Sequence, residues 1–182
     1  MWKNTKESWG LASQLMHWGM AIIVISLLIV GTLMSDMKDS PDKFILYYWH
    51  KSFGVLVLIL TLARLWLRNS SPIPADSPAA PHWQNKLARW NVIALYALLF
   101  TFPITGLAMS LLGGHDVSFF SLFTLKALAV PMKPLATLAW EIHGFSFNVM
   151  LVLLSGHLLG GLYHHYIIKD NILRRMLPWT KA

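Results

Sequence analysis

The chain has 182 residues, of which 55% are hydrophobic and only 13% charged, and it carries a formal net charge of +7. With a positive mean hydropathy, that balance excludes an ordinary soluble domain and places the chain in the membrane class, at the size of one helical bundle. The absence of cysteine excludes disulfides, thiolate metal sites, iron–sulfur clusters and covalent haem attachment, so any haem is held non-covalently.

Four apolar runs, 11–34, 45–67, 90–112 and 135–168, each reach the roughly 20 residues needed to cross a bilayer. The predicted fold is therefore all-α, a single domain built as a four-helix transmembrane bundle with up-down topology. The first run is long, has no A-x-A type cleavage site and is expected to be a retained helix instead of a signal peptide. The polar stretch 35–44 is a short external loop whose Pro41 suits the entry to the second helix. The link from Asn69 to Pro81 carries Pro72, Pro74, Pro78 and Pro81 and is predicted to be an extended spacer. Between Gly113 and Pro134, FFSLFTLKALA with Phe119, Phe120 and Phe123 can form an interfacial helix; a loop capping the bundle is the favoured expectation. The tryptophans, among them Trp49, Trp66 and Trp179, cluster near helix ends as an interfacial belt.

The basic residues sort by topology and form no interleaved nucleic-acid patch. Lys3, Lys6, Arg64, Arg68, Lys86, Arg89, Lys169, Arg174, Arg175 and Lys181 fall on the side of both termini, against Lys38, Lys43, Lys51, Lys126 and Lys133 on the other. By the positive-inside rule both termini are expected in the cytoplasm, in a multi-pass membrane protein.

His17, His50, His143 and His157 lie inside apolar runs, where an unpaired imidazole costs free energy and a polar residue marks a functional position. His143 and His157 are fourteen residues apart, which returns to nearly the same helix face with the rings roughly 21 Å apart along the axis. Up-down order matches depths, pairing His50 with His143 on the outer side and His17 with His157 towards the inside. Each pair can supply the two axial nitrogens of a six-coordinate b-type haem. Gly54, four residues after His50, and Gly160 and Gly161, three and four after His157, omit side chains beside these rings. Gly156 reads better as a small-residue helix contact. Arg64 and Arg68 return to the His50 face at the cytoplasmic end and are expected to neutralise haem propionates, or to reach lipid phosphate, which is at least as good a reading for Arg68. Lys51 has the same two readings on the outer side. His164 shares a face with His157, but a spacing of roughly 31 Å from His143 argues against it as a ligand. His164 and His165 are better placed at the cytoplasmic interface, as a quinone site where a titratable ring gives up a proton. His82 and His115 read as solvated loop residues.

LMHW around His17, YWHKSFG around His50, EIHG around His143, SGH around His157 and the tail YHHYIIKDNILRRMLP together resemble the bacterial di-haem cytochrome b561 family over essentially the whole length. The resemblance implies haem ligation by His17, His50, His143 and His157, two b haems, and ubiquinone as electron acceptor. Its best-described branch oxidises superoxide on the periplasmic side, which makes Lys51, Lys126 and Lys133 candidates for steering a small anion. The lead MWKNTKESWG and the HKSFG form of the second motif resemble other branches.

The leading expectation is a membrane oxidoreductase passing single electrons between a small periplasmic donor, superoxide being the natural one, and quinone, with no side chain singled out as catalytic. The alternative is a haem-containing anchor that relays electrons for a dehydrogenase or hydrogenase partner. A third reading, a histidine-based metal transporter, is weakened because Glu141 is nearly the sole carboxylate inside an apolar helix.

Overall fold

A helix crossing a bilayer satisfies its own backbone and can be apolar on every side, because lipid replaces water as its solvent. The computed structural model, which describes residues 2–178, contains four such helices: α1 (Leu11–Asp36), α2 (Pro41–Asn69), α3 (His82–Leu112) and α4 (Lys133–Tyr163). All four are long and apolar enough to cross a membrane. Side chains such as Ile22, Phe145 and Val152 are largely exposed on them, a surface that water would not tolerate but acyl chains would. The all-α, four-span architecture is therefore that of a membrane protein. Trp179 and Lys181, which entered the interface and charge arguments, lie outside the described residues.

The helices extend past the apolar runs. α2 begins at Pro41, whose fixed φ and missing N–H suit a first helical position. α3 starts at His82, eight residues before the expected Trp90, so His82 is a helix residue and not a loop residue. The Pro81 carbonyl accepts bonds from the Gln84 and Asn85 N–H groups at 3.0 and 3.3 Å and closes that first turn. HWQNKLAR is polar, and hydropathy alone does not separate a polar helical turn from a loop.

The chain forms two compact units, each drawing a segment from all four helices. One holds the residues up to Gly19, Leu62–Ala97 and the chain from Met150 onward. Within it, the buried Asn4 side chain accepts bonds from the Gly10 N–H (2.9 Å) and the Ser13 hydroxyl (2.7 Å), pinning the N-terminal lead to the start of α1. Gly10 is required there, since a Cβ would collide with the backbone of Trp2 and Lys3. After α4 comes a π-helical turn (His164–Ile168), ended by Lys169 in the left-handed region (φ 58°), and then a 3-10 turn (Arg174–Met176). Gln14 and Trp18 donate to the carbonyls of Arg175 and Met176, each at 2.9 Å, and fasten that tail to α1.

The other unit holds Met20–Thr61 and Leu98–Val149. Its segment between α3 and α4 is neither an interfacial helix nor a plain loop. It is a short hairpin, β1 (Val117–Phe119) paired antiparallel with β2 (Phe123–Leu125) in the register Val117↔Leu125. Phe120 (φ 47°) and Ser121 (φ 60°) both occupy the left-handed region, and the Leu122 N–H closes the turn on the Phe119 carbonyl. Non-glycine residues adopt that geometry only when their surroundings hold them there. Ser52 on α2, fully buried, does so: its hydroxyl donates to the Ser118 carbonyl (2.9 Å) and accepts from the Phe120 N–H (3.2 Å). Tyr48 and Ser121 share a hydroxyl contact at 2.8 Å, and the Phe53 and Phe120 rings meet edge to face at 5.0 Å.

Ser52→Ala removes both hydroxyl bonds and leaves two backbone groups unmatched, which is expected to cost about 1–3 kcal/mol. The thermal midpoint in detergent should fall, and amide exchange at Phe120 should accelerate. Unchanged exchange there would show that Ser52 does not hold the hairpin.

Candidate functional site

A buried imidazole must find partners for two ring nitrogens, and in the second unit two such rings face each other. His50 on α2 and His143 on α4 have centroids 6.4 Å apart and planes inclined by 72°. The His143 Nδ1 lies 3.0 Å from the Phe102 carbonyl and 3.2 Å from the Thr105 hydroxyl. A carbonyl only accepts, so Nδ1 carries the hydrogen and Nε2 keeps a free lone pair, the arrangement that prepares a histidine for a metal. That carbonyl belongs to the residue before Pro103, inside α3. His50 Nδ1 is buried with no hydrogen-bond partner.

Two glycines let the rings lie where they do. A Cβ at Gly106 would stand 3.2 Å from His143 Cε1, and one at Gly31 would stand 3.4 Å from His50 Cε1. Beside the histidines, by contrast, a Cβ at Gly54 or Gly144 would meet no neighbour within 4 Å. Sequence reasoning singled out Gly54 but missed Gly31, Gly106, Phe102 and Thr105. The breaker-rich FPITG inside an apolar helix was the available signal for the last three.

The first unit repeats the theme with a different surround. His17 on α1 and His157 on α4 have centroids 6.0 Å apart and planes inclined by 63°. Arg64 Nη2 lies 3.1 Å from His17 Nδ1, and Arg64 Nε donates to the Tyr96 hydroxyl at 3.1 Å. A guanidinium can only donate, so Nδ1 accepts and the ring proton sits on Nε2 in this arrangement. Tyr96 was not foreseen from the sequence. Gly160 and Gly161 would likewise carry a Cβ without a neighbour inside 4 Å. Gly156 differs, because a Cβ there would touch Asn91 Nδ2 at 3.6 Å, and Asn91 donates to the Leu153 carbonyl at 3.0 Å; this is an interhelical contact.

These residues fit a porphyrin iron. A metal–imidazole bond of about 2 Å on each side, plus a ring radius of about 1.1 Å, puts two axial rings roughly 6.3 Å apart, close to both observed separations. Among the described residues no group of three or more His, Asp or Glu gathers as a metal cage, so the histidines come as couples, as a six-coordinate haem requires.

The remaining sequence-predicted residues are dispersed. Arg68 does not reach a histidine; its guanidinium lies over the Trp9 and Tyr96 rings at 5.6 and 6.0 Å. Lys51 is half-buried next to His50, while Lys133 is exposed at the start of α4. Lys126 is paired with Asp116 at 2.8 Å. The Ala127 N–H and the Lys126 ammonium hold that carboxyl below its ordinary range, so Lys126 is largely neutralised. His115 is exposed in its loop and His165 packs on Tyr166 at 4.8 Å. His164 is buried, and its Nδ1–H donates to Asp170 Oδ2 at 2.6 Å across the π-helical turn.

Comparison with known proteins gives a consistent result. Residues 8–179 match the family model described as prokaryotic cytochrome b561. The chain is 32% identical over 181 residues to cytochrome b561 homolog 2 of Escherichia coli K12, covering 96% of this chain and 93% of that one. It is 30% identical over 173 residues to cytochrome b561 homolog 1 of the same organism, covering 91% and 94%. It is also 30% identical over 129 residues to a probable superoxide oxidase, CybB, of Yersinia pestis, covering 71% and 73%.

The His164–Asp170 couple predicts a pH dependence. Burial alone would raise the Asp170 carboxyl, but the Ser77 hydroxyl, the His164 ring and the Ile172 N–H around it hold it below its ordinary value near 3.8. The unfolded chain therefore binds this proton more readily, so the stabilisation is present above about pH 4 and is lost as pH falls through the depressed value. Asp170→Asn should lower the thermal midpoint at neutral pH and flatten its acid-side decline. An identical acid profile in wild type and variant would contradict the assignment.

Proposed function

The chain belongs to the prokaryotic cytochrome b561 family, and from that premise we propose that it carries two b haems and passes single electrons across the membrane from superoxide to ubiquinone. Family membership makes it a multi-pass bacterial membrane protein with a b-type haem and an electron-transfer role. The observation that carries the finer reading is the pair of facing imidazole couples, His50–His143 and His17–His157, at 6.4 and 6.0 Å.

Haem iron, when bound, supplies the one-electron couple. The protein supplies the rest. Phe102 and Thr105 fix the His143 tautomer with Nε2 free, and Gly31 and Gly106 keep space for the two outer rings. On the inner couple, ligation through His17 Nε2 requires the ring proton on Nδ1. Arg64 would then exchange that nitrogen for a haem carboxylate, with Tyr96 as its fixed partner. Lys51 is the corresponding cation beside His50.

Superoxide is the proposed donor because a relative is named a probable superoxide oxidase, with Lys51 and Lys133 as the outer-side cations that would steer a small anion. Such steering weakens as salt rises. At the other end His164, its tautomer fixed by Asp170, and His165 are the proposed proton donors to reduced quinone. The distribution of lysine and arginine supports cytoplasmic termini, and membership of a prokaryotic family supports the bacterial inner membrane.

The test uses purified full-length protein. His50→Ala or His143→Ala should remove one haem, and His17→Ala or His157→Ala the other, with the second haem retained in each case. Retention of both would overturn the ligand assignment. In stopped flow, superoxide should reduce the wild-type haems and added quinone should reoxidise them, the first step slowing on the order of tenfold at high salt. Haem that superoxide leaves oxidised would overturn the donor.

A further inference from the structure

The haem reading leaves one cavity unused. It measures about 530 Å³ and lies within the first unit, walled by the lead before α1, the end of α2, the proline-rich link, the first turns of α3 and the segment after α4. These are the places where membrane spans end, so the cavity sits at the level of the lipid headgroups. Arg68, Arg89, Arg175 and Asp76 line it together with apolar side chains such as Trp9 and Ile73.

Its charges do not balance. Three guanidinium groups face one carboxylate, a net of +2. Arg89 is matched, since it forms a two-pronged pair with Asp76. The other two arginines are positioned but not neutralised. Arg68 is held over the Trp9 and Tyr96 rings by cation–π contacts, which leave its N–H groups able to donate. Among the described residues neither Arg68 nor Arg175 has a carboxylate partner. Arg175 is held by a bond from Nη1 to the Ala75 carbonyl at 2.7 Å, while its Nε is buried with no partner at all. A buried charged donor left unmatched is a cost that a ligand of opposite charge would remove.

We propose that this cavity is a specific site for the phosphodiester head of an anionic phospholipid, gripped by Arg68 and Arg175. Forked guanidinium donors match phosphate oxygens in pairs. The apolar walls suit the glycerol and the first acyl carbons, which a free phosphate ion would leave uncovered. A quinone head is neutral and would leave the +2 unbalanced. The richer basic content on this side of the chain corresponds to the leaflet where anionic lipids concentrate.

The test uses the full chain, purified and delipidated, offered phosphatidylglycerol or phosphatidylcholine in detergent micelles. Retained lipid is read by native mass spectrometry, and the thermal midpoint is followed in parallel. Wild type should retain phosphatidylglycerol about tenfold over phosphatidylcholine and gain stability with it. Arg68→Gln and Arg175→Gln should each cut that preference about fivefold, whereas Lys86→Gln, a basic residue outside the cavity, should leave it intact. Secondary structure and the optical spectrum serve as controls for folding, and either arginine variant alone suffices if the other does not fold. Equal retention of the two lipids, or a preference that survives in both arginine variants, would overturn the proposal. Displacement of the lipid by millimolar inorganic phosphate would make it a free-phosphate site, and displacement by a short-chain ubiquinone a quinone site; either result also overturns it.

Discussion

An imidazole placed inside a membrane span gives up water on both nitrogens and must recover partners from the protein or from something the protein holds. In this chain four imidazoles face each other two by two, and much of the surrounding sequence makes sense around them. Gly31 and Gly106 are where a side chain would press on a ring. The Phe102 carbonyl of α3 lies within hydrogen-bond distance of the His143 ring. Arg64 is anchored by Tyr96 so that its charge stands next to His17. The paired rings at about the separation of two axial ligands are the feature that links the composition of the helices to electron transfer.

The two couples differ in what surrounds them. His143 is supported by a backbone carbonyl and a threonine hydroxyl, and the half-buried Lys51 follows His50 in the chain. His17 has a permanently charged guanidinium beside it, held in turn by the Tyr96 hydroxyl.

The spans were legible because bilayer crossing demands long apolar runs, a signal that survives any detail of packing. The meeting of His50 with His143 and of His17 with His157 was also legible, since up-down order leaves few rings at matching depth. The polar opening of α3 from His82 was not, because hydropathy is blind to a helical turn that faces water. The hairpin at Val117–Leu125 was hidden for another reason. Its turn residues, Phe120 and Ser121, carry no glycine or asparagine signal, and only the distant Ser52 and Tyr48 make that geometry tenable. Tyr96 acts through a contact between helices that no spacing within one helix announces, while Phe102 and Thr105 had only the breaker-rich FPITG to point to them. Arg68 was one turn from Arg64 in sequence, yet aromatic stacking took it to a different task.

The central claim is most directly tested by combining haem quantification with low-temperature electron paramagnetic resonance on the purified wild-type protein. The account predicts two haems per chain, both low-spin with two imidazole ligands, and with distinguishable signals because the two couples have different hydrogen-bond partners and different angles between their ring planes. A single haem, or a high-spin iron with one axial position unfilled, would contradict it.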